Sequence, residues 1–443
     1  MITLRRLFLL SLMILAASEI QERETRGAVS AQDKAKKGID GALPAGAIRQ
    51  FGTSAFLHEG KVSGVAFSPD SKLMASGGKD AMVRLWDVVG GKEVHSFPAH
   101  RYGVITVAFS PDGKTLAGGG ETGGYQTAAA VYCWDIAAKQ VLWQVHFKDK
   151  GDFAIGALAY SPDGKVLAGL SNKGTIFLWE AATGLEIRQW QAGQQGIFQS
   201  LAFAPKGSIL ACGGVKAITL WHPETGKEMR QFSKGDEQIW FVAFSPDGSM
   251  VAGMALGSPT VRALPLVHLW DTATGKVIRD VDGHQAAVFT PNGKTLVTAT
   301  GTRFAEVALC DVATGAKAKL LQSDPLSATK SSIEYKPLAI SPDGRLLAVT
   351  FDRAIHLWDL NAGKLDHPLS GHVAAVVDLA VTRDGRFLTS ASHDQTVRQW
   401  EVASGKETGR LKGKAGALSA DGKTAATLQD GNKTLRISDM ATL

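Results

Sequence analysis

Cysteine is scarce in this chain: three residues among 443, Cys133, Cys212 and Cys310, with no CxxC pair. That spacing excludes a disulfide framework and a thiolate metal set, and each cysteine falls where a buried strand residue is expected. Cationic runs are missing too. None is longer than KAKK at 34–37, and acidic residues are interspersed with basic ones, so the net charge of +6 is not gathered on one face. Nucleic-acid binders concentrate their charge, so no nucleic-acid partner is expected. A membrane-spanning run is also lacking. LFLLSLMILAA at 7–17 is a largely apolar run of eleven residues, short of the roughly 20 that cross a bilayer. Placed behind MITLRR and ahead of the polar EIQERE, with Ala16 and Ser18 at the small-residue positions, it reads as an export signal over 1–18. A polar linker is then expected over 19–46, and a periplasmic or extracellular protein with no lasting membrane insertion once the signal is cleaved.

Catalytic signatures are absent in turn. GKT recurs at 113–115, 293–295 and 422–424, but Ala108, Val288 and Ala417 stand where a phosphate loop needs its first glycine. HEGKV at 58–62 carries Val62 in place of the second zinc-binding histidine. There is no G-x-S-x-G elbow. No catalytic residue, cofactor or metal is therefore expected. No stretch beyond the leader sustains a helical period of 3.6 residues.

What the sequence has instead is repetition. AFSPDG occurs at 108–113 and again at 243–248. Looser copies begin at Ala66, Ala159, Ala202, Val288, Ala339, Ala380 and Ala417, giving nine at intervals of 37 to 51 residues. Such a period marks a repeat architecture. One unit, 62–97, divides into four short strands: VSGVAF, KLMASGG, MVRLWDV and EVHSF, separated by an SPDS turn, a KDA loop and a VGGK turn. A single antiparallel meander cannot offset its own chain entropy, at about 1–2 kcal/mol per ordered residue against about 1.5–3 kcal/mol per large buried side chain. Each sheet needs a neighbour on both faces, and a ring supplies one.

The unit resembles the WD40 repeat, here in a chain of exported, bacterial type. Trp-Asp pairs stand at 86–87, 134–135, 270–271 and 358–359, with variants at 179–180, 221–222, 310–311, 400–401 and 438–439. His58, Ser76, Asp80 and Trp86 are spaced like the family's internal hydrogen-bond network, as are His372, Ser390, Asp394 and Trp400. His100 is expected to be a structural member of the second repeat. The resemblance implies an all-β fold over 47–443: a single β-propeller of nine four-stranded blades, with eight as the fallback. The last repeat supplies three strands and AIRQF at 47–51 reads as an orphan fourth, so the N-terminal strand is expected to complete the C-terminal blade and fasten a monomeric ring.

The links after first and third strands are monotonous, SPDG-like and TGK-like. Those after second and fourth strands vary, as in 121–130, 255–265, 300–306 and 322–336. Binding tends to sit on loops held by a rigid scaffold, with aromatic and arginine anchors. The expected surface is therefore the variable face, with Arg101, Tyr102, Tyr125, Trp240, Arg262, Arg303, Phe304 and Arg353 as candidate partner-binding residues. WD40 resemblance implies a non-catalytic platform for a protein or peptide. The other reading is a propeller enzyme resembling quinone-cofactor dehydrogenases, resting on Trp143 and Trp190 in fourth strands.

Overall fold

A computed structural model of the chain describes residues 57–439 apart from 101, 122–128, 148–153, 193–199, 215–216, 234–237, 257–265, 284–285, 301–305, 323–337, 352–353, 366–371, 373–375, 382–384, 393, 413–423 and 430–433. Among these residues every regular element is a strand. Eight sheets have four antiparallel strands in sequence order: sheet 1 (62–98), sheet 2 (104–146), sheet 3 (155–191), sheet 4 (201–232), sheet 5 (238–282), sheet 6 (286–322), sheet 7 (338–365) and sheet 8 (376–412). A ninth repeat contributes the pair Thr424–Gln429 and Thr434–Asp439. The expected signal and linker, and the strand at 47–51, lie outside the described residues.

The first turn of each unit forms for a local reason. In SPDG the serine hydroxyl donates to the aspartate two residues on and accepts the N–H five residues on, as with Ser110, Asp112 and Thr115 at 2.6 and 3.0 Å. The glycine that follows takes a left-handed φ of 68–76° in sheets 2 to 8, which only glycine adopts without cost. Ser71 holds that position in sheet 1 at φ 60°.

Between sheets, one pattern recurs. Sheet 1 offers Ala75, Val83, Leu85 and Phe97 to Val104, Val107, Leu116 and Trp134 of sheet 2, all buried. The same positions join sheets 2 and 3, 3 and 4, 4 and 5, 5 and 6, and 6 and 7. Then the circuit returns. Ala348, Ile355 and Leu357 of sheet 7 pack against Val62, Met74 and Trp86 of sheet 1. Seven sheets thus close on themselves, which makes them a β-propeller.

The turns report the same circuit. A Cβ placed on the turn glycine of sheets 2 to 7 would stand 3.3–3.5 Å from the proline ring of the preceding turn: Gly113 on Pro69, and so on to Gly344 on Pro291. Sheet 1 takes up the contact from sheet 7, where the Asp343 N–H donates to Ser71 Oγ at 3.3 Å. Gly385 of sheet 8 has nothing within 4 Å. The expected ring of nine, or eight, blades differs from this circuit of seven packed sheets, and the expected pairing of 47–51 with the last repeat lies outside the described residues. Sheet 7 has one outward face, and sheet 1 already covers it.

Candidate interaction surface and its buried supports

The expected network is present, and it is larger than expected. In sheet 1 the buried His58 Nδ1 lies 3.0 Å from the Asp80 carboxylate and Nε2 lies 2.6 Å from Ser76 Oγ. Trp86 Nε1 donates to the same hydroxyl at 2.7 Å. The arrangement balances if His58 Nδ1–H donates to Asp80 and Nε2 accepts the Ser76 proton, leaving Ser76 oxygen to accept from the indole. Burial lowers the His58 pKa against the pull of Asp80. Burial alone would raise Asp80, but hydrogen bonding and charge from His58 and Arg84 outweigh it and hold the carboxyl at about 2.

Arg84 carries the network on to the fourth strand. Its guanidinium donates to Asp80 at 3.2 Å and to Glu93 at 2.6 Å. Sheet 8 repeats the set. His372 meets Asp394 at 2.9 Å and Ser390 at 2.7 Å, Trp400 donates to Ser390 at 2.8 Å, and Arg398 donates to Glu407 at 2.8 Å. His372, Thr396 and the Thr396 N–H hold Asp394 at about 2 despite burial. Sequence reasoning missed Arg84, Glu93, Arg398 and Glu407. The signal was there: in both repeats an arginine stands four after the aspartate and two before the tryptophan, with a glutamate nine further on.

In sheets 2, 3 and 5 the tryptophan is held by shape. Glycine replaces the network serine at Gly118, Gly169 and Gly253, and a Cβ there would stand 2.9, 2.4 and 2.9 Å from the rings of Trp134, Trp179 and Trp270. His100 is a structural member, as expected, with Nε2 at 3.1 Å from the Gly118 carbonyl. The three cysteines are buried and outside any disulfide. Burial pushes the Cys212 thiol up to about 12.

Trp143 and Trp190 are contacts between sheets. Trp143 Nε1 donates to the Ala181 carbonyl at 2.9 Å and its ring covers Gly184 of the next sheet, while Trp190 lies over Gly226. Arg279 and Lys319 reach the following turns in the same way, at Thr314 and Leu360. The monotonous face is thus occupied by contacts within the ring.

On the opposite face, Lys79 after the second strand of sheet 1 is paired with Glu121 of sheet 2, both partly exposed. Tyr102, in the link between those sheets, is half-buried. Trp240 is in a first strand, Gln238–Phe244, and not in a loop. It is the residue passed over where the pairing shifts between Ile239 and Phe241, as happens in the first strands of sheets 1, 2 and 8. Arg101, Tyr125, Arg262, Arg303, Phe304 and Arg353 lie outside the described residues, as does the Trp240 side chain. Among the described residues no group of three or more His, Cys, Asp or Glu is placed to hold a metal.

Comparison with known proteins agrees with this geometry. Residues 53–87, 91–123, 338–359 and 363–401 match the WD domain, G-beta repeat family, and residues 128–199 match the anaphase-promoting complex subunit 4 WD40 domain. These stretches of the chain, somewhat under half of it, are similar to WD40 repeats. Similar proteins include nuclear distribution protein PAC1 of Arthroderma otae, 31% identical over 173 residues, which are 37% of this chain and 35% of that protein. Small ribosomal subunit protein RACK1 of Medicago sativa is 30% identical over 137 residues, 28% of this chain and 40% of that protein. Human striatin is 45% identical over 53 residues, 12% of this chain and 7% of that protein. The chain thus spans well under half the length of these WD40-repeat relatives.

The relatives correct one expectation. Proteins named for nuclear distribution and for the small ribosomal subunit belong inside eukaryotic cells, which overturns the reading of an exported protein. A largely apolar run of eleven residues behind two arginines is a short and generic pattern, and the repeats carry no export information.

Proposed function

We propose that this WD40-repeat protein is a non-catalytic platform that holds an intracellular protein or peptide on the face built by the links after second and fourth strands. One observation carries the reading. Turns on the other face are occupied internally, glycine against proline and fourth-strand side chain against the next turn, while the opposite links differ in length and content from sheet to sheet. A surface relieved of structural work can vary, and variable loops on a rigid scaffold are where binding concentrates. The names of RACK1 and the anaphase-promoting complex domain, both parts of assemblies, support a scaffold role.

Arg101, Tyr102, Tyr125, Trp240, Arg262, Arg303, Phe304 and Arg353 are the proposed anchors, since Arg, Tyr and Trp dominate interface energetics. The test is crosslinking in intact cells with mass-spectrometric mapping. Crosslinks should fall on the variable links, and Tyr102→Ala combined with Arg101→Ala should reduce capture of the same partner. Crosslinks concentrated on the SPDG and TGK turns defeat the assignment.

A further inference from the structure

Sheets 1 and 8 are equivalent at a constant offset of 314 residues, with no gap from His58/His372 to Phe97/Leu411. The network residues correspond one for one. So do finer details: Ala81 and Gln395 share a left-handed φ of 65° and 64°, and Val88 N–H to Lys72 O recurs as Val402 N–H to Arg386 O.

The two packing faces have diverged differently. Sheet 1 covers sheet 7 with Val62, Val65, Met74, Trp86 and Val88. Sheet 8 has Val376, Leu379, Leu388, Trp400 and Val402 at those positions, every one apolar. The face that sheet 1 turns to sheet 2 includes Ala75 and Leu85, which become Thr389 and Gln399 in sheet 8. Sheet 8 has therefore kept the surface that fits sheet 7 and lost part of the surface that fits sheet 2. It also follows sheet 7 directly in the chain, through residues 366–375, a link within the range that joins successive ring sheets (283–285 to 323–337).

We propose that the outward face of sheet 7, formed by Ala348, Ile355 and Leu357, is a single internal docking site with two claimants, and that sheet 8 can replace sheet 1 on it, opening the ring at its seam. In the described state sheet 1 occupies the site and Gly385, the counterpart of Ser71, stands clear of any turn. Exchange needs no refolding of either sheet, because each keeps its own four-stranded pairing and its own buried network. It would release sheet 1, and with it the Lys79–Glu121 region of the variable face, from a fixed position in the closed circuit.

The test uses the full chain with paired cysteines and a short bismaleimide crosslinker. Native thiols are buried. Ser71→Cys with Asp343→Cys reports the closed seam, where these residues touch. Gly385→Cys with Asp343→Cys reports the exchanged one. Cysteine is compatible with position 385 at φ 68°, since serine already adopts a similar φ of 60° at position 71. Both pairs are expected to crosslink within one chain. Adding Met74→Ala, which weakens only the sheet 1 claimant, is expected to raise the 385–343 yield and lower the 71–343 yield, each by about tenfold. The proposal is overturned if 385–343 stays uncrosslinked in both backgrounds while 71–343 reacts. It is equally overturned if 385–343 links only different chains, since a second copy then supplies the sheet.

Discussion

At the residue scale, the recurrent tryptophan is anchored by a hydrogen bond in sheets 1 and 8 and by close packing on glycine in sheets 2, 3 and 5. Ser76 serves both His58 and Trp86. Ser76→Ala removes a shared partner from two buried groups and should cost about 1–3 kcal/mol. Gly169→Ala should cost a similar amount, about 1–3 kcal/mol, for the opposite reason: the new Cβ meets the Trp179 ring at 2.4 Å. Urea midpoints measured by tryptophan fluorescence would reveal both, and an unchanged midpoint for Gly169→Ala contradicts the packing account.

The same network makes stability depend on pH. Asp80 and Asp394 lie near 2 in the folded chain against an ordinary 3.8. The folded state therefore binds fewer protons in acid, and their stabilisation is full above about pH 4 and vanishes toward pH 2. Each contributes on the order of 2 kcal/mol. His58 acts in the same direction, because burial lowers it below 6.5, so its contribution fades as the pH falls below that value. Melting temperature should drop in acid, and Asp80→Asn should flatten the lower part of the profile.

At the scale of the element, the fourth strand is a strap. Trp143 is 9% exposed and joins sheet 2 to sheet 3 by a hydrogen bond and a ring over Gly184. Trp143→Ala should cost about 3–5 kcal/mol. Arg279→Ala loses one exposed bond to the Thr314 carbonyl and should cost only about 0.5–1.5 kcal/mol. Equal losses in chemical denaturation would mean that the straps do not work by burial. The strands, their turns and the His-Ser-Asp-Trp part of the two networks were legible in the sequence, because each depends on spacings within one repeat: Pro presets a turn, Asp caps it, and six residues separate Asp80 from Trp86. The straps were less so, since Trp143 touches a turn in a different repeat.

At the scale of the molecule, the seam between sheets 7 and 1 is built like any other. Ile355→Ala there should destabilise the protein as much as Ile218→Ala at an internal seam, about 2–5 kcal/mol each, since both side chains are fully buried. A much smaller loss for Ile355→Ala would mean the ring is open at that place. The sequence alone determined the repeat, its four strands, the hydrogen-bonded core of sheets 1 and 8, and which turns are uniform. Only the tertiary structure decided where the circuit closes and which turns are occupied by neighbours. The reason is that packing faces of successive repeats are nearly interchangeable: local chemistry says that each sheet needs two neighbours, but which two depends on how many sheets fit around the centre.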